Sequence, residues 1–442
     1  MTVGDDGRGV RTARGAPGRL RPAELLLSAI AAVSWAFLAM AGVAALGLHL
    51  LGADAAGALG PMTAAAVVLA VGGSVTPSGA VETFGIQGAA ARSAIEIAPL
   101  GVSLVGALLL GVIFARSLRA AGATMRAPEL AARAGSVAVL FLLLLGGLAW
   151  AGEDTVTIDG KSLGLGGDAG GGGGPHLEIP GIGDIGSIGG GLADRLGGLA
   201  DAKAAVGFSV DTGRSLAGAA VWVLGVLAVT LLAARRAPLP RGWEVVHRRV
   251  RPAVSALCAV LVLAVGAGVA AAAYAAVGDG HPKRVLGAAL LGAPNGVWLA
   301  LPLGLLVPWH GTAKGALLDV LPSPLDQLLS AKADEPVTLA RLAGLDGRVW
   351  LLALACALML LAAGVLTAVR TPRGALRPLA FAGRCALGLG AATAVALPLL
   401  VLLTRVTADA GLSVLGFDAF GAGLELRGDA PVALALGAVW GA

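Results

Sequence analysis

Long apolar runs alternate with short polar segments along this chain. Runs of about 18 residues or more cover 24–48, 98–115, 134–151, 216–234, 253–277, 349–369 and 385–404, and a last one begins at Val432. At ~1.5 Å per residue, such runs match helices crossing a ~30 Å hydrocarbon layer. Two further runs, 59–76 and 285–307, are interrupted: the first leads into "AVGGSVTPSG", and the second contains "GAPNG" and Pro302. Glycine and proline disturb the helical hydrogen-bond ladder, which membrane depth tolerates only where protein or water satisfies the freed groups.

Charge assigns the sides. The segments 1–23, 116–133, 235–251 and 370–384 together hold 19 basic and 4 acidic residues. Short basic connections stay in the cytoplasm. Helix 24–48 then runs outward and 98–115 runs inward, so 59–76 starts and ends outside. Helices 253–277 and 349–369 impose the same on 285–307, while the competing reading makes one or both runs true spans and breaks the charge pattern at several loops. The expected fold class is an all-α polytopic integral membrane protein with about eight spans plus two outside-facing re-entrant or broken apolar segments, in two similarly oriented halves. Its parts are a basic cytoplasmic N-terminal segment (1–23), a first membrane half (24–234), a basic cytoplasmic linker (235–251) and a second half (252–442). The run from Val432 rises only about 17 Å and is expected to be an incomplete span.

The halves carry an internal repeat of element order. A gapless match of Leu59 on Leu291 pairs Gly60 with Gly292, Gly72 with Gly304 and Gly79 with Gly311, and "VGFSVDTG" (206–213) is matched by "LGFDAFGAG" (415–423). Equal orientation of the halves implies a pseudo-two-fold axis along the membrane normal. Outer loops are 152–215, with a Gly-rich tract, and 308–348. The flanks "TVTIDGKSL" and "VGFSVDTG" alternate and are expected to pair as short strands, and "LLDVLPSPLDQLLSAKA" reads as an amphipathic surface helix. Trp150, Trp309 and Trp350 fall at outer boundaries, whereas Trp35 and Trp298 are expected to pack between helices.

Composition agrees: 57% hydrophobic, 13% charged, mean hydropathy +0.85. The net charge of +5 is spent on orientation, which argues against nucleic acid as a partner. Cys258, Cys356 and Cys385 lie in or beside apolar runs and offer neither a disulfide framework nor a CxxC metal site. "GIGD" (181–184) mimics an intramembrane aspartyl protease motif, but Asp184 sits in the Gly-rich loop and no span supplies a second Asp. His49, near Asp54, and His176, His281 and His310 read as exposed loop histidines, with His281 and His310 flanking the second broken run. No enzyme, no cofactor and no metal is expected.

The functional content lies in the broken runs, whose tips are Gly72 and Gly73 in the first and Gly292, Pro294, Asn295 and Gly296 in the second. Re-entrant segments bind permeant species through exposed backbone and helix ends. The expected function is a permease- or pore-like one for a small or lipidic solute. The alternative is a non-transporting envelope or scaffold protein acting through its outer loops. Membrane lipids are the expected partners, and homo-oligomerisation stays open.

The stretches "LGPMTAAAVVLAVGGSVTPSG" (59–79), "AIEIAPLGVSLVGALLLGV" (94–112) and "LLGAPNGVWLALPLG" (290–304) resemble the streptophobe family, very hydrophobic actinobacterial proteins with no assigned biochemical role. The resemblance implies a protein of the actinobacterial cytoplasmic membrane and carries over no functional residue; the basic segment 1–23 separately places the N-terminus inside.

Overall fold

The structure, a computed structural model, describes residues 22–55, 57–80, 89–120, 127–151, 154–159, 203–234, 244–314, 336–373, 377–414 and 417–442. The Gly-rich tract with His176 and Asp184, and the segment 317–333 expected as a surface helix, lie outside them. The chain is an all-α polytopic membrane protein whose eight long apolar helices carry a sheet at one end. The helices are α1 (Pro22–Leu51), α2 (Leu59–Ala70), α3 (Leu100–Ala120), α4 (Ala127–Ala151), α5 (Thr212–Ala233), α6 (Glu244–Val277), α7 (Pro282–Gly304), α8 (Leu339–Leu345), α9 (Trp350–Arg370), α10 (Pro378–Leu403) and α11 (Ala430–Gly441). All but α2, α8 and α11 are long and apolar enough to span a bilayer, and only 17% to 44% of their apolar windows is buried, so most of that surface is left for lipid. Seven of the eight match expected spans. The eighth is α7, one of the two doubtful runs, while the run from Val432 forms the shorter α11.

Seven strands close the sheet: β1 (Val75–Ala80), β2 (Ala89–Glu96), β3 (Asp154–Asp159), β4 (Lys203–Val210), β5 (Trp309–Lys314), β6 (Val406–Val414) and β7 (Phe417–Gly428). Every described pairing is antiparallel, in the order β3-β4-β1-β2-β6-β7-β5. The expected pairing of the loop flanks is the β3–β4 ladder, Asp154 to Asp159 on Phe208 to Lys203. The other five strands are additions to the sequence reading.

The run 285–307 is not broken. Helix α7 continues through Gly292, Pro294, Gly296 and Pro302. Pro294 has no N–H for the Leu290 carbonyl, and that oxygen lies against Gly101 of α3, where a Cβ would collide with it. By length and composition α7 is one of the eight helices able to cross a membrane. Near its start, Gly287 meets the Gly47 carbonyl and the Leu51 amide at the end of α1. Near its finish, Gly304 meets Leu352 and Cys356, Cys356 being about 9 Å along α9 from the sheet end. The run 59–76 resolves into the short α2, a turn and the start of β1.

The same backbone motif closes α2 and α7. Gly73 N–H reaches the Val68 carbonyl and Gly72 N–H that of Leu69; Val307 N–H reaches the Pro302 carbonyl and Leu306 N–H that of Leu303. This is a Schellman closure, with the left-handed position held by Gly72 (φ 83°) and by Leu306 (φ 70°). A strand follows each, and its neighbour runs into an Asp-capped helix. Asp211 caps α5 by accepting from Arg214 N–H, and Asp429 caps α11 by accepting from Val432 N–H. The Asp211 N–H donates to the Ser74 carbonyl, and the Asp429 N–H to that of Pro308. Val75 pairs with Val210 as Trp309 pairs with Gly428.

Two large cores fill the bundle, and a smaller one joins Ala253 and Val260 of α6 to Ala363 of α9 and Leu389 of α10. Of the large cores, the first joins α1 to α5 around Met40, Phe114, Phe141 and Val223; the second joins α7, α9, α10 and α11 around Leu301, Trp309, Cys356 and Leu400. Trp298 packs against the second core, but Trp35, expected between helices, is 59% exposed on the surface of α1. Its position in α1 turns outward because Val33 and Ala36 occupy the inward stripe.

Candidate functional site

Asn295 is the polar centre of α7, and both ends of its amide are engaged. Its Nδ2 donates to the Ala98 carbonyl at 2.7 Å, and its Oδ1 accepts from Leu100 N–H at 3.0 Å. Leu100 opens α3, where backbone donors have no intrahelical acceptor, so Asn295 caps that helix from across the interface. The residue expected at an open tip is a clamp.

Gly292 and Gly296 flank it with no atom near a would-be Cβ. With Asn295, Ile97, Pro99 and Thr404 they line an almost wholly apolar cavity of about 310 Å³. Pro294 is buried on the other side of α7. Gly72 and Gly73 lie elsewhere, at the foot of α2. Gly72 faces the backbone of Gly218 in α5, and a Cβ on Gly73 would meet the Val68 carbonyl and Ser215 Oγ. The six expected tip residues therefore form two sites, one on α5 and one against the start of α3. His281 and His310 sit before and after α7, whose 23 residues separate them by roughly 34 Å along the axis. His49 binds Asp54, Nδ1 to Oδ2, at 2.8 Å.

A second cavity, of about 540 Å³, opens where α10 ends, α11 begins and β5 pairs with β7. Three basic side chains converge on it. His310 and Arg427 are direct cross-strand partners, and Arg405, one residue before the Val406–Leu426 pair, falls beside Arg427. One row thus carries Arg405, Arg427 and His310, and the next row on that face carries Glu425 between Thr407 and Thr312. The opposite face holds Trp309 and Leu426, packed on the second core, as an antiparallel sheet with one covered face requires. Asp429, at the rim, is used by the cap of α11. Val401 and Leu402 form an apolar floor.

What this cavity offers is charge and shape: two guanidinium groups and an imidazole for an anion, two carboxylates on Glu425 and the capping Asp429, and an apolar base. Arg405 and Arg427 were missed in the sequence because each stands as a single basic residue, in "LLTRVT" and "LELRGD", within a segment between apolar runs that is acidic overall. The alternation of "GLELRG" was the available signal. No protein-family model, curated protein or solved structure matches the chain.

Proposed function

We propose that this is a non-enzymatic scaffold of the cytoplasmic membrane that works at its sheet-bearing, extracytoplasmic face. The observation that carries this reading is the β2–β6 ladder, eight residue pairs from Ala89–Val414 to Glu96–Thr407. It ties the first half of the chain to the second, and a carrier that rocks one half against the other would have to break it. Orientation is supported by the opposite end of the bundle, where Arg116, Arg119, Arg249, Arg370, Arg373 and Arg384 gather near the helix ends in the manner of cytoplasmic connections.

Within this reading the halves are an internal repeat. Support comes from the shared Schellman closures, the shared Asp caps and the shared strand registers, which relate β1 to β5, β4 to β7 and β3 to β6. The register at α2 and α7 is Val75 on Trp309, two residues from the gapless match of Leu59 on Leu291. Helices α2 and α7 are then re-entrant from the outer side. Membership in the streptophobe family, which the resemblance suggests, is compatible with all of this.

A second reading, a permease for a lipidic solute, is favoured by the apolar cavity along Gly292 and Gly296. One experiment separates the two. Ser93→Cys with Ala410→Cys places a cross-link within β2–β6, since these residues are register partners. Proteoliposomes are then assayed for uptake of small polar and lipidic solutes before and after oxidation. The scaffold reading expects no protein-dependent uptake in either state. Uptake that stops on cross-linking identifies a rocking carrier. Uptake that survives cross-linking but falls with Gly296→Leu identifies passage along α7.

A further inference from the structure

We infer that the cavity at the β5–β7–β6 corner binds the phosphate of an anionic lipid headgroup. The inference does not depend on whether the chain is a scaffold or a permease. Arg405, Arg427 and His310 stand side by side across three strands, where lateral spacing is about 4.8 Å. Like charges directly opposite one another on a sheet repel. Among the described residues, Arg405 and Arg427 make no ion pair; of the two carboxylates lining the cavity, Glu425 faces them from the next row and Asp429 accepts from the first turn of α11. Each guanidinium presents a planar fork of donors suited to two phosphate oxygens.

The surroundings select a lipid rather than a soluble phosphate ester. Arg405 is the second residue after α10, at the boundary between helix and sheet. Directly below it the flanks of α10 and α11 are bare: Leu399 is 48%, Leu402 59% and Leu434 55% exposed. In a bilayer those leucines meet acyl chains, so a lipid lying along them brings its phosphate to the arginine row. A free phosphate ester would use the same row and leave the leucines without a role. The corresponding register pair of the other half is Thr76 with Ser209, which carries no charge, so the site belongs to one half only.

The test uses the full chain, purified in neutral detergent and titrated with phosphatidylglycerol, phosphatidylcholine or glycerol 3-phosphate, with bound ligand read by native mass spectrometry. Wild type is expected to retain phosphatidylglycerol over phosphatidylcholine. Arg405→Gln with Arg427→Gln should weaken that binding roughly tenfold to thirtyfold, as expected for removing two juxtamembrane charges. Arg405→Lys with Arg427→Lys should restore most of it, which separates binding from a folding defect, and Arg348→Gln, at the start of α9, should leave it unchanged. Raising the salt should weaken it in wild type. Glycerol 3-phosphate binding as tightly as the lipid would move the source to a soluble phosphate ester and overturn the lipid assignment. Equal phosphatidylglycerol binding by wild type and the Gln variant, or no preference over phosphatidylcholine, would overturn the site.

Discussion

At the scale of single residues, the informative positions are those where one helix satisfies another's backbone. Asn295 spends both halves of its amide on the start of α3, so Asn295→Ala strands a buried donor and acceptor. The expected loss is ~1–3 kcal/mol, read as a lower thermal midpoint in detergent; an unchanged midpoint would show that the clamp carries no stability. Gly101 has a related duty, because the Leu290 carbonyl that Pro294 leaves unpaired rests where its Cβ would be. Leu306 is the reverse case. It holds a left-handed turn at φ 70°, at a cost of about 1 kcal/mol for an L side chain, whereas the matching turn at α2 uses Gly72. Its side chain is half exposed, so Leu306→Gly gives up little packing. It should raise the midpoint by a few degrees in the same assay, and a decrease would mean that lipid contact outweighs the backbone term.

At the scale of elements, the membrane helices were legible and, apart from the β3–β4 pair, the sheet was not. Seven runs announced themselves by length because lipid demands an unbroken apolar surface of one size. The strands lack that pressure: β2 reads "AAARSAIE" and β1 "VTPSGA", and their pairing depends on partners far along the chain. Helix α7 was half legible. Its apolar length was plain, whereas its glycines and prolines suggested a break that does not occur, Asn295 being engaged by the start of α3; its charge context proposes that both ends lie on one side. Cysteines at Gly280 and His310, one at each end of α7, should therefore react with an impermeant thiol reagent from the same side of intact vesicles. Labelling from opposite sides would make α7 a true span and remove the case for re-entrance.

At the scale of the whole molecule, the two parts of the chain proposed as a repeat meet at the sheet end and also where α5 packs on α6. The sheet joins them through β2 and β6, and α7 of the second half reaches over α1 and α3 of the first. The proposed repeat has a clearer trace in the sequence than the glycine match that suggested it: "DTGRSLAGAAVW" (211–222) and "DAPVALALGAVW" (429–440) share Asp, the Leu-Ala pair and the Ala-Val-Trp end. The reason is physical. The Asp caps its helix, and one helix face later each Trp anchors to a neighbour, Trp222 Nε1 donating to Ser103 Oγ at 2.7 Å and Trp440 Nε1 to the Leu305 carbonyl at 3.1 Å. If the contacts at the sheet end are what unite the halves, the linker between α5 and α6 is dispensable for assembly. Chains split between Pro238 and Leu239, co-expressed with a tag on the first fragment only, should then co-purify in detergent. Asn295→Ala should lower the yield of the untagged fragment, and a proline at Ala410, which deletes a donor from the β6 strand, should lower it further. Fragments that co-purify equally well with both changes would mean that the union lies in the lipid-embedded helix contacts, and the sheet would be a cover and not a tie.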